Sequence, residues 1–308
     1  MKKYNLILLA VFISSLSFSQ DVLENDPYKM NNVYERNQHV EKEVVNLPHL
    51  READVMWSRK IWREIDLRQK INHPLYYPQD LEDSKTVDRD NLFKVLYNAA
   101  TGNSDKMVDG VALKIRAFNP KYDDEFQDQM TAPELIKLVE GTDYRIPLLD
   151  AFNDDSLDVN GNIVYGEPEK RNSIRLSDIK KWRIKELWFF DKQRSVMDVR
   201  IIGMCPIANN RDDKGILTGE TTQICWFYFP EARQALRNAQ SFNLVKNEAE
   251  NKTFEDIFLK RMFSSTIVKE GNVYDREVNQ YMVGLDALLE AEKIKAEIFN
   301  IEHDLWEY

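Results

Sequence analysis

Residues 156–167, with the sequence SLDVNGNIVYGE, carry oxygen-bearing side chains at nearly the spacing of a calcium-binding EF loop. The candidate ligands are Asp158, Asn160 and Glu167, at the third, fifth and twelfth positions of that stretch. The first position, where an aspartate normally anchors the ion, is Ser156, which supplies no charge. Asn160-Gly161 is also typical of a type I′ turn. We favour a hairpin near 157–166 over a metal site, because every part of the hairpin is present.

The chain has two cysteines, Cys205 and Cys225, and each lies in a segment predicted to be a strand. In an antiparallel pair, the residue numbers of facing partners have a constant sum. If the strands that end at Ala208 and Thr222 pair in this way, the two cysteines face each other, because their residue numbers have the same sum as those of Ala208 and Thr222. An oxidising compartment would allow them to form a disulfide. Two buried thiols that act as small hydrophobic side chains are the alternative. The sequence leaves both states open, because a disulfide also demands a specific geometry.

Asp198 and Arg200 are the charged residues in the otherwise apolar segment SVMDVRIIGMCPIA. Their spacing of two puts both on one face of a strand, where they could form a charged pocket. Such residues are more often cross-strand partners or interface charges. With Trp226 and Tyr228 of the next predicted strand, they make up the candidate interface, since Trp, Tyr and Arg tend to carry the binding energy of protein contacts.

The sequence motifs that define catalytic or cofactor sites are missing. There is no G-x-S-x-G elbow, H-E-x-x-H helix, Walker loop or Rossmann glycine fingerprint. His303 lies between Glu302 and Asp304 and could act as an acid or base, but a helix-end histidine that interacts with the helix dipole is the commoner case. We therefore predict no catalytic residue, no cofactor and no enzyme activity.

The segments around the cysteines predict an antiparallel meander over about 183–229. The polar tetrad DKQR at 191–194 is typical of a turn between two apolar strands, and the third strand spans 221–229. Alternation in the middle strand gives it two faces. One holds Met197, Val199, Ile201 and Cys205, and the other holds Asp198, Arg200, Ile202 and Met204. Both faces are substantially apolar, so the sheet should be covered on both sides.

Upstream of the meander, a helix is predicted to begin at Asp54, its N-cap, and to end at the NHP of residues 72–74. Its apolar stripe is Trp57, Ile61 and Ile65, spaced by four. The further elements predicted there are a helix at 90–100 that Gly102 ends, a strand at 111–118 and a helix after a capping box at 131–134.

Downstream of the meander, Pro230 and Thr253 begin two predicted helices, and a last helix runs from about Met282 to Asp304. The stripe of this last helix is Leu288, Ala291, Ile294, Ile298, Ile301 and Leu305, broadened by Leu285, Leu289 and Phe299. So broad an apolar face must be buried, against the core or against a neighbouring subunit. The predicted fold class is α+β: the meander over about 183–229, with an additional hairpin near 157–166, packed by several helices.

The first nineteen residues have the pattern of a secretory signal peptide, with two lysines, a short apolar run and small residues before Gln20. The apolar run is short for a membrane span, which needs about 20 apolar residues. No cysteine follows the predicted cleavage site, so we expect no lipid anchor. These features predict an exported chain with no direct membrane span.

Removal of residues 1–19 would take away two lysines and no acid, which changes the formal net charge from −10 to −12. So acidic a chain is poorly suited to nucleic acid, whose binding needs a basic surface. Residues 20–49 are polar, with little periodicity, and predict an extended N-terminal arm that orders on binding a partner. Residues 50–308 predict an α+β globular region, as one body or as two subdomains at 50–150 and 151–308.

Four long segments resemble the GldN/PorN family of gliding-motility and type IX secretion proteins. They are WFFDKQRSVMDVRIIGMCP, WFYFPEARQAL, FEDIFLKRMFSSTIVKEGNVYDR and DALLEAEKIKAEIFNIEHDLWEY. The resemblance covers the chain after the signal peptide and is strongest from about Lys180 to the end. It is specific, because long unusual segments recur in order.

The resemblance implies a periplasmic structural subunit at the inner face of the outer membrane. The partners it implies are an outer-membrane lipoprotein of the GldK/PorK type, a periplasmic shaft of the GldM/PorM type and copies of the subunit itself in a ring. The family offers no catalytic motif to transfer.

A second function class stays in view, an exported enzyme or small-ligand-binding protein that uses the Asp198/Arg200 face. It predicts a closed concave pocket around these two residues. A flat face, or one covered by another part of the assembly, would exclude it.

Overall fold

The structure is a computed structural model. It describes residues 43–79, 89–102, 107–108, 111–112, 114–120, 125–144, 163, 169–171, 173–211, 216–241 and 252–306. The calcium near-match and the hairpin predicted around it lie outside these residues, apart from residue 163. The near-match ligands are Asp158, Asn160 and Glu167. Among the described helices, none is both long enough and apolar enough to cross a membrane.

The described strands are antiparallel throughout. They are β1 (Val55–Asp66), β2 (Met107–Val108), β3 (Val111–Ala112), β4 (Ala117–Phe118), β5 (Gln129–Met130), β6 (Thr142–Tyr144), β7 (Glu169–Arg171), β8 (Ile179–Asp191), β9 (Val196–Arg211), β10 (Leu217–Gln223), β11 (Trp226–Tyr228) and β12 (Thr266–Glu270). One eight-stranded sheet has the order β12-β1-β8-β9-β11-β4-β5, with β10 paired to β9. The pairs β2–β3 and β6–β7 are separate.

The described α-helices lie between and after the strands. They are α1 (His73–Tyr76), α2 (Leu92–Thr101), α3 (Ala132–Glu140), α4 (Phe229–Asn238), α5 (Phe254–Leu259), α6 (Val278–Tyr281) and α7 (Leu285–Trp306). Several end signals predicted from the sequence are confirmed. Gly102 ends α2 in the left-handed conformation, and capping boxes begin α3 at Thr131 and α5 at Thr253.

The predicted meander is the centre of the main sheet. β8 and β9 are joined by a turn at 192–195, and β11 pairs with β9 on its other side. This confirms the α+β class with an antiparallel sheet. Strands from both halves of the chain share the sheet, and residues 41–308 cluster as one compact unit.

The segment after Asp54 is the strand β1, so the helix predicted there is wrong. Trp57, Ile61 and Ile65 are spaced by four. That spacing puts residues on one face of a strand, because it is even, and also on one side of a helix, because it is close to one turn. β1 pairs with β8 along most of its 12 residues and with β12 over residues 61–64. The partner strands lie more than a hundred positions away along the chain, so local periodicity did not reveal them.

The strand predicted at 111–118 is divided, which corrects that prediction. β3 pairs with β2, whereas β4 joins the main sheet. Between them, the backbone N–H of Ile115 donates to the carbonyl of Ala99 in α2 over 3.2 Å. Ile115 and Ala117 are both buried, as the alternation predicted.

A bulge in β9 changes the faces predicted for the middle strand. The register between β8 and β9 shifts at Ile202, which is an extra residue in β9. Beyond such an extra residue, odd-numbered and even-numbered side chains exchange the faces of the sheet to which they point. Cys205 therefore shares a face with Asp198 and Arg200, and Met204 moves to the opposite face. The prediction was correct up to Ile201 and wrong after it.

One face of the main sheet is covered by helices, and we call it the helix face. Helices α2, α4 and α5 pack over the sheet residues Ile65, Trp182, Ile184 and Met204. Helix α7 packs beside them on Ile61 of β1 and Ile267 of β12. Burial of each large aliphatic side chain contributes about 1.5–3 kcal/mol, so these two clusters attach the helices to the sheet.

The opposite face of the main sheet carries more basic than acidic side chains, and we call it the basic face. Register places Lys60, Lys181, Arg183, Lys185, Arg200 and Lys269 on it. Its centre carries an aromatic cluster of Trp62, Phe118 and Trp226, with Cys205 and Val268, all of them residues of the sheet itself. Outside the strands, the residue that packs against this cluster is Phe126, so the cover predicted for this side is one aromatic ring among the described residues and not a layer of helices.

Candidate interaction site

Asp198 and Arg200 lie side by side on the basic face but have different partners. Asp198 Oδ2 pairs with Arg194 Nη2 of the β8–β9 turn at 3.2 Å. Arg200 lies over Phe189, with its Cζ 5.4 Å from the ring centroid, and its Nη2 donates to the carbonyl of Pro48. The two side chains therefore belong to separate contacts, one in a turn and one to the N-terminal arm.

The described part of the predicted arm, residues 43–49, is held through its backbone. The carbonyl of Val45 accepts a hydrogen bond from Arg233 of α4 at 2.6 Å, and the carbonyl of Pro48 accepts one from Arg200. The side chains of Val45 and Leu47 stay exposed, at 60% and 42%. The arm thus presents apolar side chains at the surface while two arginines bind its carbonyls.

The β8–β9 turn is ordered by one carboxylate, Asp191. Its Oδ1 accepts from the backbone N–H of Gln193 at 2.8 Å, and its Oδ2 pairs with Arg194 Nε at 2.7 Å. The hydrogen bond from Arg194 lowers the pKa of Asp191. The polar tetrad is therefore a self-contained turn, which agrees with the sequence prediction.

Cys205 and Cys225 are both fully buried and are present as thiols rather than as a disulfide. They do not face each other, because Cys205 packs in the aromatic cluster and Cys225 in the core on the helix face. The register explains this difference. β10 keeps the predicted pairing of Thr222 with Ala208, but β11 pairs Phe227 with Met204, one residue out of step. Burial raises the pKa of Cys225 well above its usual value. Whether Cys205 and Cys225 can form a disulfide in an oxidising compartment stays a prediction.

Trp226 and Tyr228 of the candidate interface make internal contacts. Trp226 is buried, and the ring of Phe126 meets it edge-on at 6.1 Å and meets Tyr228 at 5.7 Å. Tyr228 is half-buried beneath Arg116, whose Cζ lies 5.6 Å from its ring centroid. These aromatics therefore attach the chain around Phe126 to the sheet.

Two lysines of the basic face enclose the indole of Trp62. Lys269 Nζ lies 4.5 Å and Lys185 Nζ 5.2 Å from its ring centroid, and Lys185 also lies 5.6 Å from the ring of Phe126. Lys185 is only 4% exposed. Such contacts contribute about 2 kcal/mol when they are desolvated. This part of the basic face is internal structure, not an open cationic surface.

An ion-pair network on the basic face joins β1, β8 and Glu277, the residue that precedes α6. Arg183 reaches Glu64 and Glu277, each at 2.6 Å, and Lys181 reaches Glu64 at 3.0 Å. Burial disfavours the charged form of Glu64, but the hydrogen bonds and charges of Arg183 and Lys181 outweigh it and lower its pKa. Within the described ranges, no group of three or more His, Cys, Asp or Glu side chains could hold a metal ion.

Comparison with known protein families identifies a match that spans most of the chain. The family model described as "Gliding motility associated protein GldN" matches residues 50–307, a span that includes every strand and helix given above. The chain belongs to the GldN family. Membership confirms the resemblance found in the sequence and associates the chain with gliding motility and type IX secretion. No curated protein matches the chain in a direct sequence comparison.

The sheet of this GldN-family chain contains a buried ion cluster that the sequence analysis missed. Glu186 is 0% exposed and pairs with Arg63 Nε at 3.1 Å and Arg261 Nη1 at 2.8 Å. Trp188 Nε1 donates to the same carboxylate at 3.0 Å. Burial lowers the pKa of Arg63 despite the nearby carboxylate. The sequence carries little signal for this pair, because Arg63 and Glu186 lie among other charged residues in both strands.

Helix α7 of the GldN-family chain is apolar on two sides, and only one side is buried. The buried side is Ala287, Ala291, Ile294 and Ile298. The exposed side includes Leu285 at 70%, Leu288 at 53%, Leu289 at 59% and Phe299 at 67%. One side of the predicted apolar face is therefore buried against this chain, whereas the other side is exposed.

The loop between β12 and α6 is a second exposed apolar feature. Val273 is 98% and Tyr274 is 74% exposed. The loop is ordered by Asn272, whose Oδ1 accepts from the backbone N–H of Arg276 at 3.1 Å, and the guanidinium of Arg276 lies 4.4 Å from the ring centroid of Tyr274. A fixed Tyr–Arg pair at a loop tip is the kind of group that anchors protein contacts.

Proposed function

We propose that the protein is a periplasmic structural subunit of the type IX secretion and gliding-motility machinery. In this proposal it forms rings with an outer-membrane lipoprotein of the GldK/PorK type and contacts a periplasmic shaft of the GldM/PorM type. The observation that carries the proposal is the GldN-family match over residues 50–307.

The described surface supports a role in protein contacts. Exposed apolar side chains are concentrated on α7 and on the loop that carries Val273 and Tyr274. Contiguous exposed apolar groups on a soluble domain commonly mark interaction sites. Because the loop is internally hydrogen-bonded, it would lose little conformational entropy on binding.

The proposal includes the absence of enzyme activity. Asp198 and Arg200 were the candidates for a ligand site, and in this chain they serve a turn and the arm. No observation among the described residues favours the alternative of an exported enzyme or ligand-binding protein. The periplasmic location rests on the signal-peptide pattern of residues 1–19.

Affinity purification of the full chain from detergent-solubilised cell envelopes tests the proposed partners. We expect the lipoprotein and the shaft protein to co-purify with a C-terminally tagged chain. A tagged version without residues 1–19 is the matched control, since it should stay in the cytoplasm and capture neither partner. Recovery of the exported chain without the lipoprotein would contradict the proposal.

A further inference from the structure

The exposed apolar side chains of α7 form a stripe opposite the buried side of the helix. At 100° per residue, positions 285, 289, 292, 296 and 299 fall on the side facing away from Ala291 and Ile294, and position 288 lies at the edge of that side. A helix that is apolar on both sides is normally covered on both sides. In this chain only one side has a cover among the described residues.

We infer that this stripe pairs with the same stripe of a second copy, antiparallel, about a two-fold axis at Glu292. The spacing of the stripe is symmetric about that residue. Leu285 and Phe299 lie seven positions before and after it, and Leu288 and Ala296 lie four before and after. In the pair, Leu285 contacts Phe299 of the second copy, and Leu288 fits against the small Ala296 of the second copy.

The charges at the centre of the stripe fit a second copy. Glu292 and Lys295 are 71% and 60% exposed, and they pair with each other at 3.2 Å within one helix. In the antiparallel arrangement, each Glu292 also lies about 4.5 Å along the axis from Lys295 of the second copy, because the rise is about 1.5 Å per residue. Two carboxylates and two ammonium groups then alternate around the axis without net charge.

The contact is small, which sets its strength. The stripe from 285 to 299 is about 22 Å long and one helix wide, at about 1.5 Å per residue. Stable interfaces bury about 800 Å² per partner, more than one such face provides. We therefore expect weak self-association, which becomes populated where copies are concentrated. A two-fold contact closes at two copies, so this inference goes beyond the proposed ring, which needs a different surface.

Cysteine cross-linking in the full chain after the signal peptide tests the pairing and its register. Glu292→Cys should form a covalent dimer on mild oxidation, because the two sulfurs meet at the axis. Asp304→Cys is the matched control on the same helix, since its two copies would lie about 36 Å apart. We expect about tenfold more dimer from Glu292→Cys, because a disulfide requires Cα atoms within about 7 Å. The native cysteines are buried and give the background.

A mixture of Leu285→Cys and Phe299→Cys chains fixes the direction of the helices. We expect mixed dimers and few dimers of either variant alone. Efficient dimers of Leu285→Cys alone would show a parallel pair and overturn the inference. Equal cross-linking of Glu292→Cys and Asp304→Cys would also overturn the inference, and it would indicate that the stripe contacts a different protein. Neither result bears on secretion, so this inference and the proposed function can fail separately.

Discussion

Glu186 brings together two strands and a helix-connecting segment at one buried carboxylate. Two arginines and the indole of Trp188 surround it, on the helix face of the sheet. A buried ion cluster of this kind adds little net stability over apolar packing, but loss of one partner leaves a buried charge without its counterion. The position is therefore sensitive to substitution.

Glu186→Gln should lower the free energy of unfolding by about 3–5 kcal/mol, because Arg63 and Arg261 lose their shared carboxylate. Urea unfolding measures this change. Glu292→Gln is the control, since it removes an exposed pair with Lys295 and should cost about 0–1 kcal/mol. Equal effects of the two substitutions would contradict the structural role given to Glu186.

Glu64 makes the stability of the fold depend on pH in the acidic range. Its pKa is lowered in the folded state below the usual glutamate value of about 4.3. Its contribution to stability is therefore fully present above that value and is lost as the pH falls through the lower folded pKa. Glu64→Gln should flatten the stability profile between about pH 5 and about pH 3. Urea midpoints across this range measure it, and an unchanged acid slope would refute the assignment.

Single residues were the least predictable part of the candidate site. Sequence alternation placed Asp198 and Arg200 on one face correctly, because they precede the bulge at Ile202. It could not place their partners, Arg194 and Pro48, since these depend on how a turn and an arm return to the strand. The burial of Trp226 was likewise invisible, because its cover comes from Phe126, far away in sequence.

At the scale of elements, Gly203 allows the chain around Phe126 to approach β9. A Cβ at this glycine would lie 2.4 Å from Phe126 Cζ and 3.1 Å from the carbonyl of Phe227. Phe126 also contacts Phe118 and Trp226, so its ring has little room to move away. The glycine therefore serves the packing of this ring on the strand.

Gly203→Ala should destabilise the fold by about 1–3 kcal/mol through overpacking. In a Phe126→Ala background the same change should cost less, because the clashing ring is gone. A double-mutant cycle of unfolding free energies measures this coupling. Purely additive costs would show that Phe126 does not rest on Gly203.

The described part of the arm is held by hydrogen bonds to its backbone carbonyls, and Arg200 supplies one of them. Arg200→Ala should speed hydrogen exchange at residues 43–50 and leave the urea midpoint nearly unchanged, since the contact is to one backbone carbonyl. Asp198→Ala is the control on the same face, because Asp198 binds the turn instead. Unaltered exchange in Arg200→Ala would mean that the arm is held elsewhere.

Elements with local signals could be predicted, and those defined by distant partners could not. Capping boxes and Gly102 identified the starts and ends of helices, and the tetrad at 191–194 identified the central turn. The periodicity of β1 fitted a helix equally well, so its neighbours β8 and β12 decided its structure. The division of residues 111–118 between two sheets follows from long-range pairing in the same way.

At the scale of the whole molecule, one sheet joins both halves of residues 41–308, and its helix face is filled by this chain's own helices. Exposed apolar side chains on α7 and on the loop that carries Val273 and Tyr274 are candidates for contacts with other proteins. Family membership could be read from long segments of sequence, because it rests on many residues together. Which surface meets which partner depends on the assembly and could not be read from one chain.

Secretion in a strain that lacks this chain tests the central claim most directly. Deletion of the gene should abolish export of type IX substrates and surface gliding, and the full-length chain supplied in trans should restore both. Complementation by a version without residues 1–19 should fail, since the subunit would not reach its site of assembly. Normal secretion and gliding in the deletion strain would contradict the account.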